Sequence, residues 1–319
     1  MKLKRMLLAA CILAFSAAVA AQAFPNRPIS LVVPFPPGGS VDTVARQMAA
    51  RFAQQLGQNV LVENRVGAGG TIGSGYVAKA APVGYTVLLG TTSALGVSPA
   101  LYKTVPYDPI KSFVPIVEVT RGPFLVTVKL DLPVKNLAEL VALAKANPGK
   151  LNAGSAGQGS VHHLALEMFK QASGIDIVHV PFKGGAPGWQ ALLAGNIDIM
   201  FDSMPGPLLF PGRVRPIAIA GPARLPGLPD VPTFAEAGVP GVETIFFWAM
   251  LAPAGTPADV IAKLHSAFSQ ALRDPALKAD FARLSMETTP GSQEEIARFM
   301  EREIPRWREV VQKAGLKTE

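Results

Sequence analysis

Apolar residues in this chain fall into short runs that alternate with stretches of helical period. Ile29-Ser30-Leu31-Val32-Val33 reads as a buried strand. Val41, Val44, Ala45, Met48, Phe52 and Leu56 then recur at the spacing of one helix face. The alternation continues with a strand at 59–63, a helix at 72–80 and a strand at 85–89, which runs into Gly90-Thr91-Thr92-Ser93. A second unit starts near Phe124. It reads as strand 124–128, helix 137–147 closed by Pro148-Gly149, strand 151–154, helix 163–173, strand 177–180, helix 189–194, and strands 197–201 and 217–220. A proline-rich stretch, 222–240, leads to a strand at 245–251 and two amphipathic helices at 258–273 and 294–314. The order predicts an α/β fold with a parallel, doubly wound sheet whose loops gather at the strand C-terminal ends.

Two similar units, with 245–251 returning to the first, predict two lobes. Residues 24–123 with 246–319 form lobe 1, residues 124–245 form lobe 2, and a ligand cleft lies between them. Hinge closure is the motion that suits such a plan. No repeat of solenoid length is present.

Three glycine-rich turns stand where helices should begin: Pro34-Phe35-Pro36-Pro37-Gly38-Gly39-Ser40-Val41-Asp42, Gly67-Ala68-Gly69-Gly70-Thr71-Ile72-Gly73 and Gly154-Ser155-Ala156-Gly157-Gln158-Gly159-Ser160. Such a turn aims free backbone N–H groups and the positive end of the helix dipole at one point, which holds an anion without a metal or a charged side chain. Asp42 either caps backbone N–H groups or accepts from a ligand donor. Ser155 and Ser160 add hydroxyls suited to a carboxylate that carries further oxygens. His163 orients this loop or touches ligand, whereas His162 and His179 read as surface or packing residues. Lys183 offers a mobile cation, Asp202 ends a buried strand, and Phe35, Phe182 and Phe247 fit either core or cleft wall. Trp307 reads as packing.

Composition narrows the class. Lys2, Lys4 and Arg5 precede an almost wholly apolar run from 6 to 19, and Ala21-Gln22-Ala23 offers a cleavage site. This is the layout of a secretory signal over residues 1–23, and it implies export to the periplasm. Leu8-Ala9-Ala10-Cys11 mimics a lipoprotein site, but the apolar stretch before Cys11 is short and continues past it. Cys11 is the single cysteine, so beyond the leader disulfides and thiol chemistry drop out. The formal charge of +7 includes the three leader cations, and the remaining Lys and Arg are scattered, which argues against nucleic-acid binding. No histidine–carboxylate spacing points to a metal, and no cofactor is expected. Gly67 to Gly73 reads G-x-G-x-x-x-G, not the dinucleotide fingerprint.

The sequence resembles the extracytoplasmic solute receptors of tripartite tricarboxylate transporters, the TctC-like or Bug-type binding proteins. The resemblance rests on Pro34 to Gly39 with Asp42, on Val62-Glu63-Asn64-Arg65 running into Gly67 to Gly70, and on Gly84-Tyr85-Thr86. It continues through Gly159-Ser160 with His163-Leu164, His179-Val180-Pro181-Phe182-Lys183-Gly184-Gly185, Leu192-Leu193-Ala194-Gly195 and Asp198-Ile199-Met200-Phe201-Asp202. Pro229 to Phe234 and Ala252-Pro253-Ala254-Gly255-Thr256-Pro257 complete it. It implies a periplasmic Venus-flytrap receptor of the type II binding-protein fold that delivers small carboxylates to membrane transporter subunits. The binding residues it implies are Gly38, Gly39, Asp42, Gly70, Thr71 and Ser93 in lobe 1. In lobe 2 they are Ser155, Gly157, Gly159, Ser160, His163, Gly184, Gly185 and Asp202. Phe182 stands where the family commonly has tyrosine, His162 where it has proline and Ser98 where it has asparagine.

Two other classes stay open. A ligand sensor that presents its closed form to a signalling partner needs the same lobes. A secreted hydrolase needs a nucleophile elbow, and Gly96-Val97-Ser98-Pro99-Ala100 lacks the last glycine and the N–H after the serine. The expectation is therefore a monomeric receptor without catalytic residues, capturing a small carboxylate.

Overall fold

The computed structural model describes residues 24–203, 210–284, 286–313 and 315. The leader expected over 1–23, with Cys11, lies outside them. β1 (Ile29–Val33) buries every side chain except Ser30, and α1 (Ser40–Leu56) buries the apolar stripe that its period predicts. β2 (Val60–Asn64), α2 (Thr71–Ala78) and β3 (Thr86–Thr91) follow. A π-helical turn at Ser93–Val97 runs directly into the short α3 (Ser98–Leu101). β4 (Phe113–Lys129) then leads to α4 (Leu137–Ala146), β5 (Asn152–Ser155), α5 (Val161–Ser173), β6 (Val178–Pro181), α6 (Gly185–Leu193), β7 (Ile199–Asp202) and β8 (Val214–Ala220). β9 (Ile245–Pro253), α7 (Ala258–Leu272), α8 (Pro275–Arg283), β10 (Glu287–Thr288) and α9 (Gln293–Lys313) complete the order.

The sheet path is β2-β1-β3-β9-β4-β7-β5-β6. Its two wings are parallel, as the alternation predicts: β1 pairs with β2 and β3, and β5 with β6 and β7. Its middle differs from the expected all-parallel sheet. β9 runs antiparallel to both β3 and β4, and β4 runs antiparallel to β7 and β8. β9, which comes late in the chain, inserts between β3 and β4 and runs opposite to both.

β4 is also longer than the strand read at 124–128. Phe113–Pro123 pairs with β9, and Phe124–Lys129 pairs with β7 and β8, so one strand belongs to both halves. Pro115 and Pro123 mask its first half, because proline cannot donate to a ladder, and register shifts near both Pro115 and Glu118 accommodate the irregular pairing.

Helices cover the wings. Phe52 of α1 stacks on Phe268 of α7 with ring centroids 4.1 Å apart. α9 packs on the π-helical turn, α3 and β4. Its Trp307 is fully buried, and Gly96 leaves the room its ring occupies: a Cβ there would lie 2.8 Å from Trp307 Cδ1. Trp307→Ala should therefore lower stability by about 3–5 kcal/mol, read as a shifted urea midpoint. A loss below about 1 kcal/mol would show that α9 is not anchored by this ring.

Candidate functional site

The turn after β1 is held from behind by Asp42. Its Oδ2 accepts from Gly38 N–H at 2.8 Å and from Arg46 Nε at 2.9 Å. Its Oδ1 accepts from Asn64 Nδ2 at 2.8 Å, and the same amide donates to Phe35 O at 2.9 Å. Burial pushes the Asp42 carboxyl up, but the donors from Arg46, Gly38 and Asn64 outweigh it and hold the group below its ordinary range. Of the two roles open in the sequence, the structure shows the capping one: this carboxylate fixes the turn that starts α1 at Ser40, after the buried cap Gly39.

The loop after β5 is held by two histidines. Ser155 Oγ accepts from Gly157 N–H at 3.1 Å and sits 2.6 Å from His179 Nε2. Gly159 N–H reaches His163 Nδ1 at 3.4 Å. Ser160 Oγ accepts from His163 N–H at 3.3 Å and donates to Gly157 O at 2.6 Å, capping α5. The rings of His163 and His179 stack with centroids 3.9 Å apart. The polar groups of Ser155 and Ser160, with the N–H groups of Gly157 and Gly159, are thus engaged inside the loop they shape.

A third helix end completes the arrangement. Gly184 adopts φ 107°, which only glycine takes readily, and its N–H bonds to Ala156 O at 3.1 Å. α6 starts at the next residue, earlier than the 189–194 read from periodicity, because Gly185 and Gly188 dilute the apolar signal. A Cβ on Gly185 would lie 2.7 Å from Asp202 Oδ2, so glycine lets the helix end sit against that carboxylate. Asp202 is buried and accepts from Trp189 Nε1 at 2.8 Å and Ser203 Oγ at 3.3 Å.

These ends converge on one narrow pocket with about 30 Å³ of free interior volume. Gly39, Ser40 and Val41 at the start of α1, Val161 and His162 at the start of α5, and Gly184 to Pro187 at the start of α6 all line it. The first N–H groups of each helix have no intrahelical acceptor. Thr91, Thr92 and Ser93 close one side with Ser203, and Phe35, Phe124, Phe246 and Trp248 form apolar walls. No Lys or Arg is among its lining residues. A wider cavity of about 560 Å³ lies beside it, sharing Phe35, Pro36, Ala156 and Gly184, and is bounded by Gly67 to Gly70, Tyr102, Gly157, Phe182 and Lys183. The two halves touch at the rim: Val161 N–H donates to Ser93 Oγ at 3.2 Å, and a Cβ on Gly184 would meet Pro36 Cδ at 3.0 Å.

The residues singled out from sequence therefore separate. Gly39, Ser93, Gly184 and Gly185 line the narrow pocket, and Gly70 and Gly157 the wider one. Gly38, Asp42, Thr71, Ser155, Gly159, Ser160, His163 and Asp202 line neither and support the turns from behind or at the rim. The second glycine turn borders the wider cavity, whereas the start of α6 borders the narrow pocket. His162, read as surface or packing, lies on the pocket wall because the Ser160 cap sets it in the first turn of α5. Phe246 and Trp248 are also additions. Their two-residue spacing on β9 is the signal that would have found them, since it puts both on one face, while Phe247 points away and stacks on Phe299 at 4.4 Å. Ser98 of the elbow-like string is fully buried and donates to Gly69 O at 3.4 Å.

The family model described as tripartite tricarboxylate transporter family receptor, TctC, matches residues 44–316. The chain belongs to this family. It is 36% identical over 305 residues to BugT of Bordetella pertussis, covering 95% of this chain and 94% of that one. It is 38% identical over 292 residues to a protein from the tcbD-tcbE intergenic region of Pseudomonas sp. strain P51, covering 91% and 87%. Among solved structures, R. palustris Rpa4515 with adipate superposes with a TM-score of 0.89 at 37% identity, over 93% of this chain and 100% of that one. The periplasmic binding protein BugD gives 0.88 at 36% identity, over 93% and 100%. MatC of Rhodopseudomonas palustris with bound malate gives 0.85 at 36%, over 90% and 100%. The chain is thus a solute-binding receptor of the TctC/Bug family with the two-lobed periplasmic-binding-protein fold.

The histidine pair gives this receptor an acid limit. Burial, then the neighbouring His163 and Lys170, push His179 down to about 3. Burial also lowers His163, with Glu167 opposing and Lys170 adding to the shift. An unfolded imidazole titrates near 6.5, so between about 6.5 and 3 the unfolded chain takes protons that the folded one refuses. Stability is complete above that window and falls as pH drops through it. We expect the urea midpoint to fall between pH 7 and 4.5 by an amount on the order of 1–2 kcal/mol, allowing for the ring's partial exposure. His179→Gln should lessen the fall, and an equal fall in that variant would remove the histidine from the explanation.

Proposed function

We propose that the protein is exported, its leader removed near Ala23, and that it captures a small carboxylate in the periplasm for the membrane subunits of a tripartite tricarboxylate-type transporter. The observation that carries this reading is the meeting of three helix N-termini from both halves in a pocket lined by no cationic side chain. Backbone N–H groups and helix dipoles are the positive charge that such a site offers, and a carboxylate is the group they fit. Relatives with the same fold hold adipate and malate. The lobes in this proposal are 24–123 with 246–319 and 124–245, hinged where β4 and β9 pass from one to the other. Ligand bridging both lobes would favour the closed arrangement. The serine of the elbow-like string is buried and engaged with Gly69, which argues against the hydrolase alternative.

Thermal unfolding against a panel of small carboxylates tests the reading, using protein refolded from denaturant to strip any copurified ligand. A ligand at 100 times its dissociation constant should add about 2.7 kcal/mol. Gly39→Val is the matching variant. Gly39 has φ −79°, and an added Cβ would meet only Pro36 O at 3.6 Å, so the fold should persist while the bulk enters the pocket and abolishes the shift. Gly159→Val is a poorer choice, because its Cβ would collide with Leu101 across the rim at a φ of +70°. No shift with any acid, or an undiminished shift in Gly39→Val, would contradict the proposal.

A further inference from the structure

The receptor reading, on which this inference rests, leaves the shape of the ligand open, and the two cavities define it. The narrow pocket has about 30 Å³ of free interior, and one bound water takes up about 10–15 Å³ of such space. A carboxylate group fills it, so the rest of the ligand lies elsewhere. The adjoining cavity of about 560 Å³ has the size common to ligand sites. The two share only Phe35 and Pro36, from the turn after β1, and Ala156 and Gly184, from the loops before α5 and α6. This neck is tight, since a Cβ on Gly184 would lie 3.0 Å from Pro36 Cδ. A ring or a branch on the carbon next to the carboxylate would have to occupy it. A methylene chain can pass, and beyond the neck it meets Pro34, Val66 and Phe182, apolar walls that favour it.

Two hydroxyls in the narrow pocket are free to hold the carboxylate. Thr92 donates to Phe247 O at 3.3 Å, Ser203 donates to Asp202 Oδ1 at 3.3 Å, and Thr91 is tied to its own turn by Ala94 N–H at 3.3 Å. Ser40, the first residue of α1, is 8% exposed, and its hydroxyl has no hydrogen-bond partner among the described residues. Its oxygen stays open, unlike the sealed one of Ser30, and the pocket is the space that Ser40 lines. Ser93 is 5% exposed and accepts from Val161 N–H at 3.2 Å, which leaves its own proton without an acceptor among the described residues. A buried hydroxyl in that condition is disfavoured, and an ionised carboxylate, which only accepts, satisfies both. We infer that the ligand is a carboxylate at the end of an unbranched aliphatic chain. Its head sits on the Ser40 and Ser93 hydroxyls in the narrow pocket, and its chain runs past Pro36 and Gly184 into the wider cavity.

Titration calorimetry on the refolded protein tests this with hexanoate, adipate, 2,2-dimethylhexanoate, tartrate and benzoate. The last three carry a ring or a substituent on the carbon beside every carboxylate. Hexanoate or adipate should bind about tenfold tighter than any of them, or more. Ser40→Ala and Ser93→Ala should each weaken the tighter straight-chain acid about five- to tenfold. Ser40→Ala should do so with the unfolding midpoint of the unliganded protein unchanged, which the loss of a merely structural serine would not allow. If Ser93→Ala does not fold, Ser40→Ala decides alone, and undiminished affinity in that variant would overturn the hydroxyl contact. Binding of 2,2-dimethylhexanoate, tartrate or benzoate as tight as that of the straight-chain acids would overturn the inference and leave the receptor reading standing. Absence of binding by every probe would overturn both readings.

Discussion

A helix cannot satisfy its own first N–H groups, and this fold turns that constraint into a site by bringing α1, α5 and α6 to one pocket. Much of the surrounding chemistry serves to hold those ends in place. Asp42 is spent on Gly38, Arg46 and Asn64 so that α1 starts where it does. Ser155, Ser160 and the stacked His163 and His179 shape the loop before α5. Gly185 lets α6 approach Asp202. Side chains that look like ligand contacts in the sequence are largely consumed one layer back, while the starts of three helices line the pocket.

This division of labour suits a receptor that must both capture and release. A Lys or Arg clamp would add binding energy that release must then overcome, whereas N–H groups split between two lobes act together only when the lobes meet. β4 and β9 pair in the middle of the sheet, between its two parallel wings, and Val161 meets Ser93 and Gly184 meets Pro36 at the pocket rim.

The sequence made much of this legible. Period alone outlined β1, α1 and the two wings, since each buries one face on a regular repeat. The first half of β4 was hidden by Pro115 and Pro123, and the antiparallel centre by the sequence distance between β3 and β9. Family resemblance pointed to Gly39, Ser93, Gly184 and Gly185 on the narrow pocket, but it did not distinguish N–H groups that face the cleft from those engaged within a loop, such as Gly157 and Gly159. His162 was missed because a histidine beside a cap residue carries no motif of its own. Its place became visible once α5 had a fixed start.

Amide chemical shifts on ¹⁵N-labelled, deuterated protein, recorded as a carboxylate is titrated in, test the central claim most directly. The account predicts that the N–H groups of Ser40, Val41, His162, Gly185 and Ala186, drawn from both lobes, move furthest and saturate together. Shifts confined to one lobe, or largest at Gly70 and Thr71 beside the wider cavity, would contradict it.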